Sequence, residues 1–153
     1  MRRSLSVFVL FFCFSLFLLC GKALAASTVQ VEVVHSRDLY PAGGTYPLLL
    51  QLCIPEGHSI HETGPEGGDA GMIPTQLSFQ PSSGIEVRET HWPEPESAVV
   101  PYVDEPLRLF QGTFFVRVLV SIDEEVPPGA VALQGTLSYQ ACTQTACLPP
   151  GGT

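Results

Sequence analysis

Two cysteines stand near the end of the chain, in the run YQACTQTACLPP at residues 139–150, between a tyrosine and a pair of prolines. Such a pair can staple a fold, hold a metal ion or exchange electrons as a dithiol and disulfide. A bridge from Cys142 to Cys147 closes a loop of only six residues, for which chain entropy gives roughly 2.2 kcal/mol, against ~4.7 kcal/mol for a hundred-residue loop. It is therefore a modest staple. Thiol exchange asks for something else: two sulfurs close enough to pair, an exposed position and a small structural cost when the bond opens. Structural bridges are common in exported proteins. The residues alone leave the staple and the exchange pair both open.

The remaining reactive side chains offer less. His58 and His61 are three apart in a glycine-rich stretch, and His35, His91, Met72 or the cysteines could join them around copper or zinc. Recognised metal motifs pair two short ligand spacings, and here the second spacing, between the cysteines, is bounded by no histidine. No metal site is expected. One methionine makes no copper motif. Hydrolysis has no nucleophile elbow and no spacing that selects a triad. Glu94 and Glu96 beside Trp92, in HWPEPE, read as an acidic proline-rich loop rather than as the carboxylate pair of a glycosidase.

These residues belong to an exported protein. Arg2 and Arg3, an apolar stretch over residues 7–19 and the small residues ALA at 23–25 form a secretory signal, with cleavage expected after Ala25. A spanning anchor would need ~20 apolar residues and a stop-transfer flank. A lipoprotein signal ending at Cys20 would want a small residue where Leu19 stands. Cleavage removes Cys13 and Cys20 and keeps Cys53, Cys142 and Cys147. The domain over residues 26–153 has about 128 residues, enough for one core. It retains Arg37, Arg88, Arg108 and Arg117 against 15 acids, a formal charge of −11, and no lysine. Nucleic acid and anionic membrane surfaces are excluded as partners by that charge.

Strands must position the cysteines. Val29, Val31 and Val33 alternate with polar residues; Leu48, Leu50, Leu52 and Ile54 mark a second run, and Leu77 with Phe79 and Ile85 with Val87 mark shorter ones. Phe114, Val116, Val118, Val120 and Ile122 form the longest apolar face, and the pattern returns over residues 131–139. PAGG, PEGGDAG, PSSG, WPEPE and VPPG supply turns between them. No stretch of the exported region has a sustained helical period. About seven short antiparallel strands in one domain predict an all-β, immunoglobulin-like sandwich. Cys142 and Cys147 then fall on a turn just past the last strand, at a rim, with Pro149 and Pro150 opposing a regular continuation.

At these residues the sequence resembles the amino-terminal periplasmic domain of the thiol:disulfide interchange protein DsbD, the disulfide bond corrector family. YQACTQTACLPP is similar to its active-site segment, and IPEGHSIHETGP, IPTQLSF, GIEVRETHWPEP and LFQGTFFVRVLV follow the family's order, covering roughly residues 29–150. The resemblance implies an immunoglobulin-like domain that takes electrons from a membrane-embedded thiol transporter. It passes them to periplasmic thioredoxin-like proteins, for disulfide isomerisation or cytochrome c maturation. Cys147 would attack the partner's disulfide and Cys142 would resolve the mixed disulfide. No metal or organic cofactor is implied, and the domain is expected to act as a monomer. The family covers its cysteines with a cap loop bearing an aromatic residue. In AVVPYVDEP the candidate is Tyr102, with Asp104 and Glu105 as nearby acids that would disfavour a thiolate; the alternative is that Tyr102 is a loop aromatic lying on the sandwich. Tyr139 either lines the active site or belongs to the core.

Two departures from the family stand out. The family usually continues past the diproline into a further strand and, in its full-length members, into membrane and thioredoxin-like domains, whereas this chain ends at Thr153. Two expectations follow: a stand-alone carrier served by separate partners, or a shortened copy whose final strand is missing. Cys53 is the second departure, and it reads as a buried free thiol in the run 48–54 rather than as a third redox cysteine. The competing function is a non-catalytic exported binding module with a permanent bridge.

Overall fold

A computed structural model describes residues 29–64, 72–101 and 103–153. The expected signal with Cys13 and Cys20, the PEGGDAG turn and Tyr102 lie outside the described residues. Within them the chain is all-β. It runs through β1 (Gln30–Val34), β2 (Thr45–Cys53), β3 (Ser59–His61), β4 (Gln76–Phe79), β5 (Ile85–His91), β6 (Glu96–Ala98), β7 (Leu107–Gln111), β8 (Thr113–Ile122), β9 (Gly135–Tyr139), β10 (Ala141–Cys142) and β11 (Gly151–Gly152). No described helix is long and apolar enough to cross a membrane.

One layer is the antiparallel sheet β1-β2-β8-β5. The other is built from two small sheets, β10-β3-β7-β6 and β11-β9-β4. They meet because β9 and β10 are one stretch of chain interrupted at Gln140: its first part pairs with β4 and β11, and its second part pairs with β3. The result is an immunoglobulin-like sandwich. Between the layers, Leu50 and Leu52 of β2 and Val116, Val118 and Val120 of β8 meet Ile60, Phe110, Leu137, Tyr139 and Ala141. Full burial of each large apolar side chain contributes roughly 1.5–3 kcal/mol. At one edge of this core Trp92 stacks on Phe110, with ring centroids 5.5 Å apart, and Phe110 stacks on Phe114 at 4.9 Å.

The period-two runs become strands where one face is wet. Leu137 and Tyr139 are buried while Thr136 and Ser138 are exposed. The last such run is shorter than its pattern: β9 begins at Gly135, and ahead of it only the Gln134 carbonyl is engaged, accepting from the Gln80 amide. Strands β3, β6 and β7 have no clean alternation to find. In β7 Leu109 and Phe110 are consecutive and both buried, because this layer is covered on both sides.

Two abrupt turns carry the chain between layers. From β2 to β3 it turns at Pro55, whose carbonyl accepts from the His58 amide, with Gly57 at φ 76°. From β7 to β8 the link is Gly112 alone, at φ 63°, its carbonyl accepting from the Ile54 amide at 2.9 Å. Both positions need the left-handed backbone that glycine adopts freely. After the diproline, β11 pairs with β9 in the register Gly151↔Tyr139 and Gly152↔Ser138. Thr153 then exchanges both backbone hydrogen bonds with Leu137. A short strand thus follows Pro150 directly.

Candidate functional site

Cys142 and Cys147 are joined by a disulfide, with Cα atoms 3.9 Å apart. They face one another as an antiparallel bridge across a tight turn. The turn is closed locally: the Thr143 amide donates to the Ala146 carbonyl at 2.8 Å, and the Leu148 amide donates to the Ala141 carbonyl at 2.8 Å. The Thr143 hydroxyl accepts from the Thr145 and Ala146 amides. Most of this geometry is written in residues 141–148 themselves, so the turn does not depend on a distant part of the fold. The two sulfurs differ in environment. Cys142 is 1% exposed, whereas Cys147 is half-buried.

The register decides which way these side chains face. Cys142 pairs with Ser59 and Ala141 with Ile60 in β3, and His61 of β3 pairs with Leu109 of β7. Side chains alternate across a strand. Ile60, Ala141 and Phe110 therefore point into the main core, and Ser59, His61, Cys142 and Leu109 point to the opposite side of the layer. That outer side is buried too. Leu107 and Leu109 pack there with Val100, Ala98 and Val103 in a second apolar cluster, separate from the main one. The segment between β6 and β7 folds over this face and turns on itself where the Val103 amide donates to the Val100 carbonyl. Tyr102 lies outside the described residues.

His61, weighed in the sequence only as one of several histidines that might join a metal site, is the side chain that the fold brings to the cysteines. Its Nε2 lies 3.6 Å from Cys142 Sγ, and the ligand atoms of His61, Cys142 and Cys147 all fall within 4.8 Å of one another. Burial pushes the His61 imidazole below its ordinary pKa, so it is neutral at neutral pH. Its backbone carbonyl accepts from the Thr75 hydroxyl, which ties the chain returning to β4 against β3. Ser59 is oriented similarly, its hydroxyl 3.5 Å from the Cys142 carbonyl. The pairing of β3 with β10 joins residues 81 positions apart, and no local spacing encodes it. The only trace in the sequence is the short polar, apolar, polar order of Ser59, Ile60 and His61.

The other candidates are placed as follows. Tyr139 is in the main core, 4% exposed, and its hydroxyl accepts from the Val29 amide at 2.9 Å. It shares the inner face with Ala141, and so stands on the other side of the layer from Cys142 Sγ. Cys53 is free but only half-buried, which corrects the expectation of a buried thiol. It follows Leu52 onto the outer face of the first sheet, where Gln51 Nε2 and Thr113 Oγ1 each approach its sulfur at 3.6 Å. The whole thickness of the core separates that face from Cys142. Asp104 and Glu105 are exposed. Glu94 is bound to Arg108 at 2.7 Å, and Arg108 also bonds Glu62 at 2.8 Å. His61 is the one histidine that joins the cysteines among the described residues.

Residues 27–153 match the family described as thiol:disulfide interchange protein DsbD, N-terminal. A search of curated proteins returned no match. The all-β sandwich and the cysteine pair, bridging the tight turn that begins at the end of β10, agree with that family match, which spans the whole described region. The chain belongs to the DsbD N-terminal domain family.

Proposed function

We propose that the domain is a periplasmic dithiol/disulfide carrier working through Cys142 and Cys147. It is exported by a signal cleaved after Ala25, is reduced by a membrane-embedded thiol transporter, and reduces thioredoxin-like proteins that serve disulfide isomerisation or cytochrome c maturation. The observation that carries this reading is the unequal burial of two sulfurs across a self-contained turn.

In the reduced state the half-buried Cys147 is the sulfur a partner can reach. Its thiolate attacks one sulfur of the partner's disulfide, and the partner's other sulfur leaves as a thiolate. A mixed disulfide results. Cys142, buried between Cys147 and His61, loses its proton, which passes to solvent, and attacks Cys147 Sγ, releasing the partner's second sulfur. Two electrons and two protons pass to the partner, and the carrier is left oxidised. The burial asymmetry supports Cys147 as the attacking and Cys142 as the resolving cysteine. The small entropy tied up in a six-residue loop, roughly 2.2 kcal/mol, allows the bond to open without loss of the fold.

Trapping tests the roles. Cys142→Ser should accumulate a covalent adduct with a periplasmic thioredoxin-like protein through Cys147, visible on non-reducing electrophoresis, while Cys147→Ser should trap far less. Equal trapping would overturn the assignment of roles. Absence of adduct from either variant, across several such partners, would favour a permanent bridge in a binding module.

A further inference from the structure

We propose that the reduced pair and His61 together bind a divalent zinc-class ion. The proposal rests on the reading that the disulfide opens, and it concerns the state that exists once it has. Three soft or borderline donors converge here, and two of them are held by the fold.

The distances suit such an ion. Tetrahedral zinc binds sulfur at ~2.3 Å and imidazole nitrogen at ~2.1 Å, which sets the two ligand atoms about 3.5 Å apart. His61 Nε2 and Cys142 Sγ stand 3.6 Å apart on paired strands. Those two are fixed at the required separation. Cys147 supplies the third ligand from the turn; once the bond is reduced, the ~3.8 Å spacing of two zinc thiolates is reached by outward movement of Cys147. It is half-buried where Cys142 is enclosed, so it is the ligand that can move, and the fourth position is left to a water molecule.

Charge gives the same answer. Two thiolates and a neutral imidazole bring two negative charges, which a divalent ion cancels, so a nearly dry site would carry no net charge. A monovalent ion would leave one uncompensated charge beside Cys142, which is 1% exposed. On binding, each thiol gives its proton to solvent and no electron moves. A filled site would withhold Cys147 from exchange.

The test uses chemically reduced protein without any partner, titrated with Zn2+ against a chromophoric chelator. One equivalent should bind the reduced protein and none the oxidised. Cobalt(II) in place of zinc should show sulfur charge-transfer and the intense visible bands of a tetrahedral site. Replacing His61 by Ala or by Gln should weaken zinc binding by about tenfold or more, since even an outer partner of a metal ligand is worth ~10–100-fold. Circular dichroism of the oxidised variants checks their fold. A measurement on the unaltered protein stands beside these: of the four histidines, only the His61 ring should shift in NMR spectra on adding zinc. Zinc bound as tightly by both His61 variants, or an unmoved His61 ring, would mean a bare dithiol and overturn the proposal. Failure to reduce thioredoxin-like partners would leave the zinc result standing and count against the carrier function alone.

Discussion

The second layer of the sandwich has two faces made from the same few residues, and they are built differently. Toward the first sheet it presents Ile60, Phe110, Leu137, Tyr139 and Ala141, an apolar surface in a closely packed core. Away from that sheet it presents Ser59, His61 and Cys142, all buried, beside Leu107 and Leu109, which pack with Ala98, Val100 and Val103. A polar group out of water costs free energy unless it is partnered. The inner face avoids that cost and the outer face accepts it next to a disulfide. The inner face accounts for stability, and the outer face holds the groups that can react.

Substitutions on the two faces should therefore separate stability from exchange. The largest effect on stability is expected from Phe110→Ala, which removes the ring stacked between Trp92 and Phe114 and should cost ~3–5 kcal/mol in chemical denaturation while leaving the cysteines reactive in the folded fraction. Cys142→Ser comes next. It should lower stability by only about 2 kcal/mol relative to the oxidised protein, yet reduce turnover with a thioredoxin-like partner to background. Val100→Ala, which removes packing on Leu107 and Leu109 of the outer face, should cost about 1–2 kcal/mol and, if that cluster shields the pair, speed alkylation of the reduced cysteines several-fold. Unchanged alkylation would show that this cluster does not guard the site. The smallest effect is expected from Cys53→Ser, within about 0.5 kcal/mol and with exchange unchanged, because its sulfur lies on the far side of the sandwich. Loss of exchange in that variant, with the fold retained, would break the division between the faces.

The fold was legible wherever a strand has one dry and one wet face. The alternation in β8, from Phe114 to Ile122, and in β9, through Leu137 and Tyr139, places the core directly. It was not legible in β3 and β7, where both faces are covered and the pattern of period two disappears, as at Leu109 and Phe110. The site divides in the same way. Cys142 and Cys147 could be paired and placed on a turn from their own neighbourhood. His61 could not be singled out from the other histidines, because its approach to Cys142 is made by strand pairing across 81 residues and the His58/His61 spacing completes no recognised metal motif. The reading of Cys53 as buried followed from its apolar neighbours; Leu52 takes the inner face and turns Cys53 outward. Tyr139 had two readings, and the hydrogen bond from the Val29 amide places it in the core.

One measurement bears most directly on the claim that the outer face holds a working disulfide rather than a staple. The oxidised protein should be equilibrated with glutathione redox buffers and the Cys142–Cys147 pair followed by alkylation and mass. The account predicts a reversible two-electron titration with a midpoint well above about −300 mV, in the range that exchange proteins use. A pair that stays oxidised throughout, with a midpoint below about −300 mV, would identify a permanent bridge and contradict it.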